Sequence, residues 1–158
     1  IPSVKEKIHI PLIAAGGIAT GRAMLAAMVL GADGVQVGSR VVASPEASSH
    51  PLFKQRVVDA QEGDTQLTLK ELAPVRLLKN KFFNDVQAAY AKGAGPEELK
   101  TLLGRARAKK GMFEGDMEEG ELEIGQVSGL IHRIVPAADI VAELLEEYYR
   151  AKAEICGN

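Results

Sequence analysis

Cysteine is nearly absent from this chain: Cys156 is the only one in 158 residues. A single thiol builds neither a disulfide framework nor a cysteine-rich metal site, so neither organises the fold. Charge of one sign is missing too. Nineteen basic residues against twenty-one acidic ones leave a net charge of −2, which gives no electrostatic reason to bind nucleic acid or an acidic membrane surface. No apolar run approaches the roughly 18 residues of a membrane-spanning helix. What is left is an ordinary globular composition, 46% hydrophobic and 25% charged, long enough for one core.

The stretch Ile10 to Val42, IPLIAAGGIATGRAMLAAMVLGADGVQVGSRVV, carries the organisation. Ile10 to Ala15 is a short apolar run, the pattern of a strand covered on both faces in a parallel sheet. Gly16-Gly17 breaks it. From Thr20 the residues Met24, Leu25, Met28 and Val29 recur at helical spacing, and Gly31 ends the helix. Asp33-Gly34 turns the chain into a second strand, Val35 to Val37, that stops at Gly38-Ser39. A strand–helix–strand unit this short predicts parallel strands and a right-handed crossover.

Both strands end, at their carboxyl edge, in residues that let main-chain N–H groups approach a ligand. Glycine has no Cβ, so an anion can sit against the backbone, and the positive end of the following helix should add to the site. A phosphate site at the ends of the last two strands is recurrent in (β/α)₈ barrels. On the competing reading the glycines only make tight turns; that two adjacent strands end alike favours the anion. Other phosphate motifs are absent. The glycines fall as Gly16, Gly17 and Gly21 rather than as G-x-G-x-x-G, and no Gly-Lys pair is followed by a hydroxyl residue. A phosphate held by backbone alone suits a cofactor that stays bound, and FMN fits that description.

Further along, Ser44-Pro45-Glu46 resembles a helix start, with Phe53, Val57, Val58 and Ala60 as its apolar stripe. His50 precedes Pro51 and reads as a helix-start residue; His9 and His132 read as structural. The segment after Thr65 opens with a short extended piece broken at Pro74. Val75 to Ala91 then has the spacing of an amphipathic helix, and Glu97 to Lys109 forms a second one. Together they read as an insertion covering the site. Arg105, Arg107, Lys109 and Lys110 crowd the end of that second helix, where a solvated helix terminus is the plain reading and a contact for an acidic carrier the sharper one. Glu114, Asp116, Glu118 and Glu119 lack the spacing of a Ca²⁺ loop and follow no strand end, so no metal is expected. Glu121 to Ile124 is a candidate extended segment. Gly125-Gln126-Val127-Ser128-Gly129 suggests backbone packed close to something flat. Pro136 to Lys152 is the last helix, with Ile140, Val141, Leu144, Leu145 and Tyr148 on one face.

The runs IPLIAAGGIATGR and LGADGVQVGSR, with EGDMEEGELEIGQVSGLI and the final helix, resemble the nitronate monooxygenase family, formerly the 2-nitropropane dioxygenases. Flavin-dependent enoyl-acyl-carrier-protein reductases belong to the same group. The resemblance implies the carboxyl-terminal part of an FMN-binding (β/α)₈ TIM barrel. A chain of 158 residues is short of the roughly 250 of a whole barrel, and it has no initiator Met. It implies residues 1–64 as the last two β/α units, 65–110 as a helical insertion, and 111–158 as a glycine-rich return segment with the helix that closes the barrel. FMN contacts are then expected at Gly16, Gly17, Ile18, Gly38 and Ser39, where the family often has threonine at Ser39, and at Gln126 and Ser128 where the chain returns to the flavin. The family's proton-abstracting histidine sits in a Gly-Gly-His motif; none of His9, His50 and His132 follows a Gly-Gly pair, so that base is expected upstream. The implied activity is oxidation of alkyl nitronates with O₂. NAD(P)H-dependent reduction of an enoyl thioester, or a non-catalytic FMN-binding fragment, are the alternatives. The implied partners are a small-molecule substrate, the amino-terminal part of the barrel and a possible second copy in a homodimer, in the cytoplasm.

Overall fold

One helical turn, α1 (Pro2–Lys5), leads into β1 (Ile13–Ala15) in the computed structural model, which describes residues 1–157. The strand is shorter than the apolar run because Pro11 has no N–H to give to a ladder. Thr20 then starts α2 (Gly21–Val29): its hydroxyl accepts the N–H of Ala23 at 3.1 Å, a side-chain cap for one of the open donors of the first turn. Gly31, at φ +106°, ends the helix in the left-handed conformation. β2 (Gly34–Gln36) pairs with β1 in parallel, in the register Ile13↔Gly34, Ala14↔Val35, Ala15↔Gln36. The Asp33 carboxylate accepts the N–H of Leu12 at 2.7 Å and pairs with Lys5 at 2.5 Å, which holds its pKa below the usual carboxylate value. Burial on both strand faces was the sequence expectation, yet Ile13 is 54% exposed and Ile10 69%. Among the described residues this sheet has two strands and no cover over Ile13.

After β2 the chain makes a short helix, α3 (Ser39–Val42), and then α4 (Pro51–Val58). No helix starts at Ser44-Pro45-Glu46. His50 is the cap instead, its ring nitrogen accepting the N–H of Leu52 at 3.2 Å, with Pro51 in the first turn. Glu46 has a different use: its carboxylate accepts the N–H of Ala137 at 3.1 Å and caps the last helix, α8 (Ala137–Cys156).

The helix read from Val75 to Ala91 begins only at Lys81, and its first four residues are instead the second strand of a hairpin whose first strand is the extended piece after Thr65. β3 (Thr65–Thr68) and β4 (Val75–Leu78) pair antiparallel, from Thr65↔Leu78 to Thr68↔Val75. Glu121 to Ile124 runs along the other side of β4, as expected for an extended segment: Leu78 donates to the Leu122 carbonyl at 3.0 Å and Ile124 to Arg76 at 3.2 Å. Side-chain alternation along β4 then divides the interior. Leu78 packs with Ala43, Phe53, Val57, Ala60 and Leu122, whereas Leu77 packs with Leu69, Phe82, Phe83, Val86 and Leu99. The second of these clusters is built by α5 (Lys81–Ala91) and α6 (Pro96–Leu103). Asn80 caps α5, accepting from Phe83 at 2.9 Å and donating to the carbonyls of Met117 and Gly120.

The helix expected over residues 97–109 is two pieces, α6 and α7 (Arg107–Met112), parted at Gly104 and Ala106, both at positive φ. Arg107 makes the break hold. Its guanidinium donates to the carbonyls of Leu102, Leu103 and Glu119 and stands 4.6 Å over the Phe82 ring. It satisfies carbonyls that the end of α6 leaves open. On α8, Ile140 and Leu144 are buried as expected, but Val141 and Leu145 are 54% and 41% exposed, so the apolar face is covered on one side only.

Glu121 is the one buried carboxyl among the described residues, 8% exposed. Burial first, then the charge of Glu123, push its pKa up to about 7 against the opposing pull of Arg107. A carboxyl whose folded pKa lies above its unfolded value of 4.5 contributes stability that is full below pH 4.5 and lost as the pH rises through about 7. Urea midpoints should therefore fall between pH 4.5 and pH 7, by an amount worth at most about 3 kcal/mol. Glu121→Gln should flatten that decline and be the more stable protein at pH 8. An unchanged slope in the Gln variant contradicts this.

Candidate anion-binding site

The two strand ends meet at a cavity of about 240 Å³. Gly16, Gly17 and Ile18 line it after β1, and Gly38 and Ser39 after β2. No ionisable side chain lines it. Gly16 and Gly17 are both in the left-handed region, at φ +88° and +71°, which only glycine adopts without strain. Gly38 is a different case. Its φ is −100°, open to any residue, and a Cβ built there meets no atom within 4 Å. Nothing inside the described chain requires a glycine at position 38. Among the described residues, the N–H groups of Gly17, Ile18, Gly38 and Ser39 have no acceptor. Unsatisfied main-chain donors in loops that line an open space with no carboxylate have the chemistry of an anion cradle.

Ser39 has a second duty. Its Oγ accepts the N–H of Gly125 at 3.2 Å, and a Cβ at Gly125 would stand 2.6 Å from that oxygen. The bond ties the 3₁₀ turn Gln126–Leu130 to the end of β2 and brings Gly125 and Val127 to the cavity wall. Gln126 and Ser128, the polar candidates of this stretch, are not in the lining. Gln126 is exposed, and Ser128 is fully buried with no partner for its hydroxyl among the described residues. The tight turn rotates the two polar side chains away and leaves main chain and Val127 facing the cavity. Ala15 and Gln36, the last residues of β1 and β2, complete the wall. Gln36 had a sequence signal, a polar residue closing an apolar strand two positions before Gly38.

The start of α2 does not serve as expected. The N–H of Gly21 is taken by the Glu147 carboxylate at 2.7 Å and that of Ala23 by Thr20. An anion from the chain itself already sits at that helix end. None of the three histidines lines the cradle: His9 and His132 are exposed, and the His50 ring packs against Gly115.

What stands next to the cradle is the hairpin rather than the helices. A groove of about 450 Å³ shares Gly38, Ser39 and Gly125 with it and runs over Val42 and Met112 to Pro74, Val75 and Arg76. The basic cluster is largely committed elsewhere. Lys109 pairs with Glu114 at 2.8 Å and Lys110 with Asp116 at 3.0 Å, while Arg107 is held as described. Of the four cations, Arg105 alone lacks an ion pair among the described residues.

Comparison with known proteins supplies the setting. A family model described as nitronate monooxygenase matches residues 1–147. A probable nitronate monooxygenase of Bacillus subtilis is 29% identical over 148 residues, which are 93% of this chain and 42% of that protein. The structure of FabK from Thermotoga maritima superposes with a TM-score of 0.90 at 37% identity, over 99% of this chain and 50% of that one. A nitroalkane oxidase from Streptomyces ansochromogenes superposes with a TM-score of 0.73 at 31% identity, over 98% of this chain and 44% of that one. The chain thus spans between two fifths and one half of the length of these relatives.

Proposed function

Because the chain belongs to the nitronate monooxygenase family and folds as part of a (β/α)₈ barrel, we propose that it is the phosphate-holding portion of an FMN-dependent enzyme that oxidises alkyl nitronates with O₂. The observation that carries this reading is Gly38, a glycine that neither its φ nor its neighbours demand, in the wall of a cavity shared with loop N–H groups without acceptors. The residues fit the cofactor. Gly16, Gly17, Ile18, Gly38 and Ser39 would hold its phosphate through main-chain N–H groups and the Ser39 hydroxyl, with no side-chain cation needed. When bound, FMN supplies the redox chemistry; the protein binds it, orients it and shapes the space beside it. The base that takes the proton of the substrate carbon belongs, on this reading, to the part of the barrel upstream, since none of His9, His50 and His132 follows a Gly-Gly pair. No helix among the described residues is long and apolar enough to cross a membrane, and the reading places the enzyme in the cytoplasm with a small-molecule substrate.

A second reading, an NAD(P)H-dependent enoyl-thioester reductase, is favoured by one finding, the superposition on FabK at a TM-score of 0.90. It gains little from the basic cluster, which an acidic carrier would need free and which α7 uses internally. The test is the full-length enzyme with an alkyl nitronate and O₂, beside the same enzyme with crotonyl thioester and NADH. Nitronate-dependent O₂ consumption without thioester-dependent NADH oxidation is the expected result. NADH-driven thioester reduction without nitronate turnover would overturn it.

A further inference from the structure

The parallel ladder stops at Ala15↔Gln36, so no sheet hydrogen bond joins the two cradle loops beyond that point. A side chain does. Arg40, directly after Ser39, donates one guanidinium nitrogen to the carbonyl of Ala19 at 2.6 Å, and Ala19 directly follows Ile18. A second guanidinium nitrogen pairs with Glu143 of α8, which also holds Arg133 at 2.5 Å. This bridge is sheltered: the Arg40 side chain is 14% exposed, that of Glu143 24%, and Ala19 1%. One turn along α8, Glu147 holds the N–H of Gly21. The last helix therefore braces the segments that follow both cradle loops.

We propose that Arg40 is a positioning residue for the phosphate, and that Glu143 orients it. It fixes the spacing between the Gly16–Ile18 and Gly38–Ser39 donors, which must converge on one anion at hydrogen-bond distance. The planar fork is what allows one side chain to reach a carbonyl and a carboxylate at once; a lysine ammonium on its flexible stem cannot hold both in fixed directions. The proposal rests on the phosphate-site reading above, and its test separates the two.

Equilibrium affinities of the full-length apoprotein for FMN and for riboflavin, which lacks the phosphate, are the measurement. Arg40→Met should lower FMN affinity about tenfold, the scale of one lost charge-assisted hydrogen bond, and change riboflavin affinity less than about twofold. A side chain that only braced the fold would move both ligands alike. Arg40→Lys should lose part of the FMN affinity and carries the test if the Met variant does not fold. Glu143→Gln should act in the same direction, and adding it to Arg40→Met should cost less than the two effects summed. Gly38→Val runs in parallel. If it erases the preference for FMN while Arg40→Met and Arg40→Lys leave it intact, the cradle stands and the role of Arg40 is overturned. If Gly38→Val also leaves the preference intact, the phosphate site itself is wrong, and the role of Arg40 falls with it.

Discussion

Gly38→Val in the full-length protein is expected to abolish FMN retention while leaving stability within about 1 kcal/mol of the parent. The two halves of that expectation come from the same geometry. At φ −100° a side chain is not strained, and a Cβ at this position meets no atom within 4 Å. The fold thus has little reason to object, and replacing glycine even removes some freedom from the unfolded chain. The added isopropyl group instead fills the space where the loop N–H groups face the cavity. Gly17→Val would be a poorer probe, because φ +71° strains any side chain and mixes a folding defect into the binding result. Flavin absorbance retained through gel filtration, read beside a urea melt, checks the expectation. A yellow Gly38→Val protein with parental FMN affinity contradicts it.

Gly21→Ala should be a severely damaging small substitution, costing about 3 kcal/mol. A Cβ at Gly21 would overlap the backbone nitrogen of Tyr148 and the carbonyl oxygen of Leu144, and would lie 2.5 Å from the Cβ of Glu147. All three belong to α8, and two are main chain, so no rotamer relieves the overlap; α2 and α8 must separate. Helix propensity works in the other direction, favouring alanine by about 1 kcal/mol. Backbone overlap is the larger effect and decides the sign. Because Glu147 and Glu143 lie on the displaced helix, FMN affinity should fall together with stability. Urea unfolding of the two proteins measures it, and a Gly21→Ala variant as stable as the parent would show that the helices are not in backbone contact.

The parts of this architecture legible in the sequence are those set by neighbours along the chain. Thr20 and Gly31 bound their helix through local hydrogen bonding and local φ, and Gly16-Gly17 ends its strand through local φ as well. Positions 75 to 78 failed because their partner is Thr65 to Thr68. The run Val-Arg-Leu-Leu continues a helical spacing into Phe82 and Phe83, and only the pairing across the hairpin makes it a strand. Asn80 held the correction, being the cap of the helix that does form. Glu46 misled in the opposite sense. It has the chemistry of a cap but serves α8, far along the chain. At the site, the resemblance implies Gln126 and Ser128 as contacts, while the cavity wall uses their neighbours Gly125 and Val127. A site made of main-chain donors leaves little trace in side-chain identity, and a glycine marks it only when nothing else explains the glycine.

The central claim is that these two loops bind a phosphate, and the most direct measurement is the affinity of the unmodified full-length apoprotein for FMN against riboflavin. Several main-chain hydrogen bonds to a charged group, each worth about 1.5–3 kcal/mol, predict that FMN binds at least about 100-fold more tightly. Equal affinity for the two flavins would contradict the account, whatever reaction the enzyme performs.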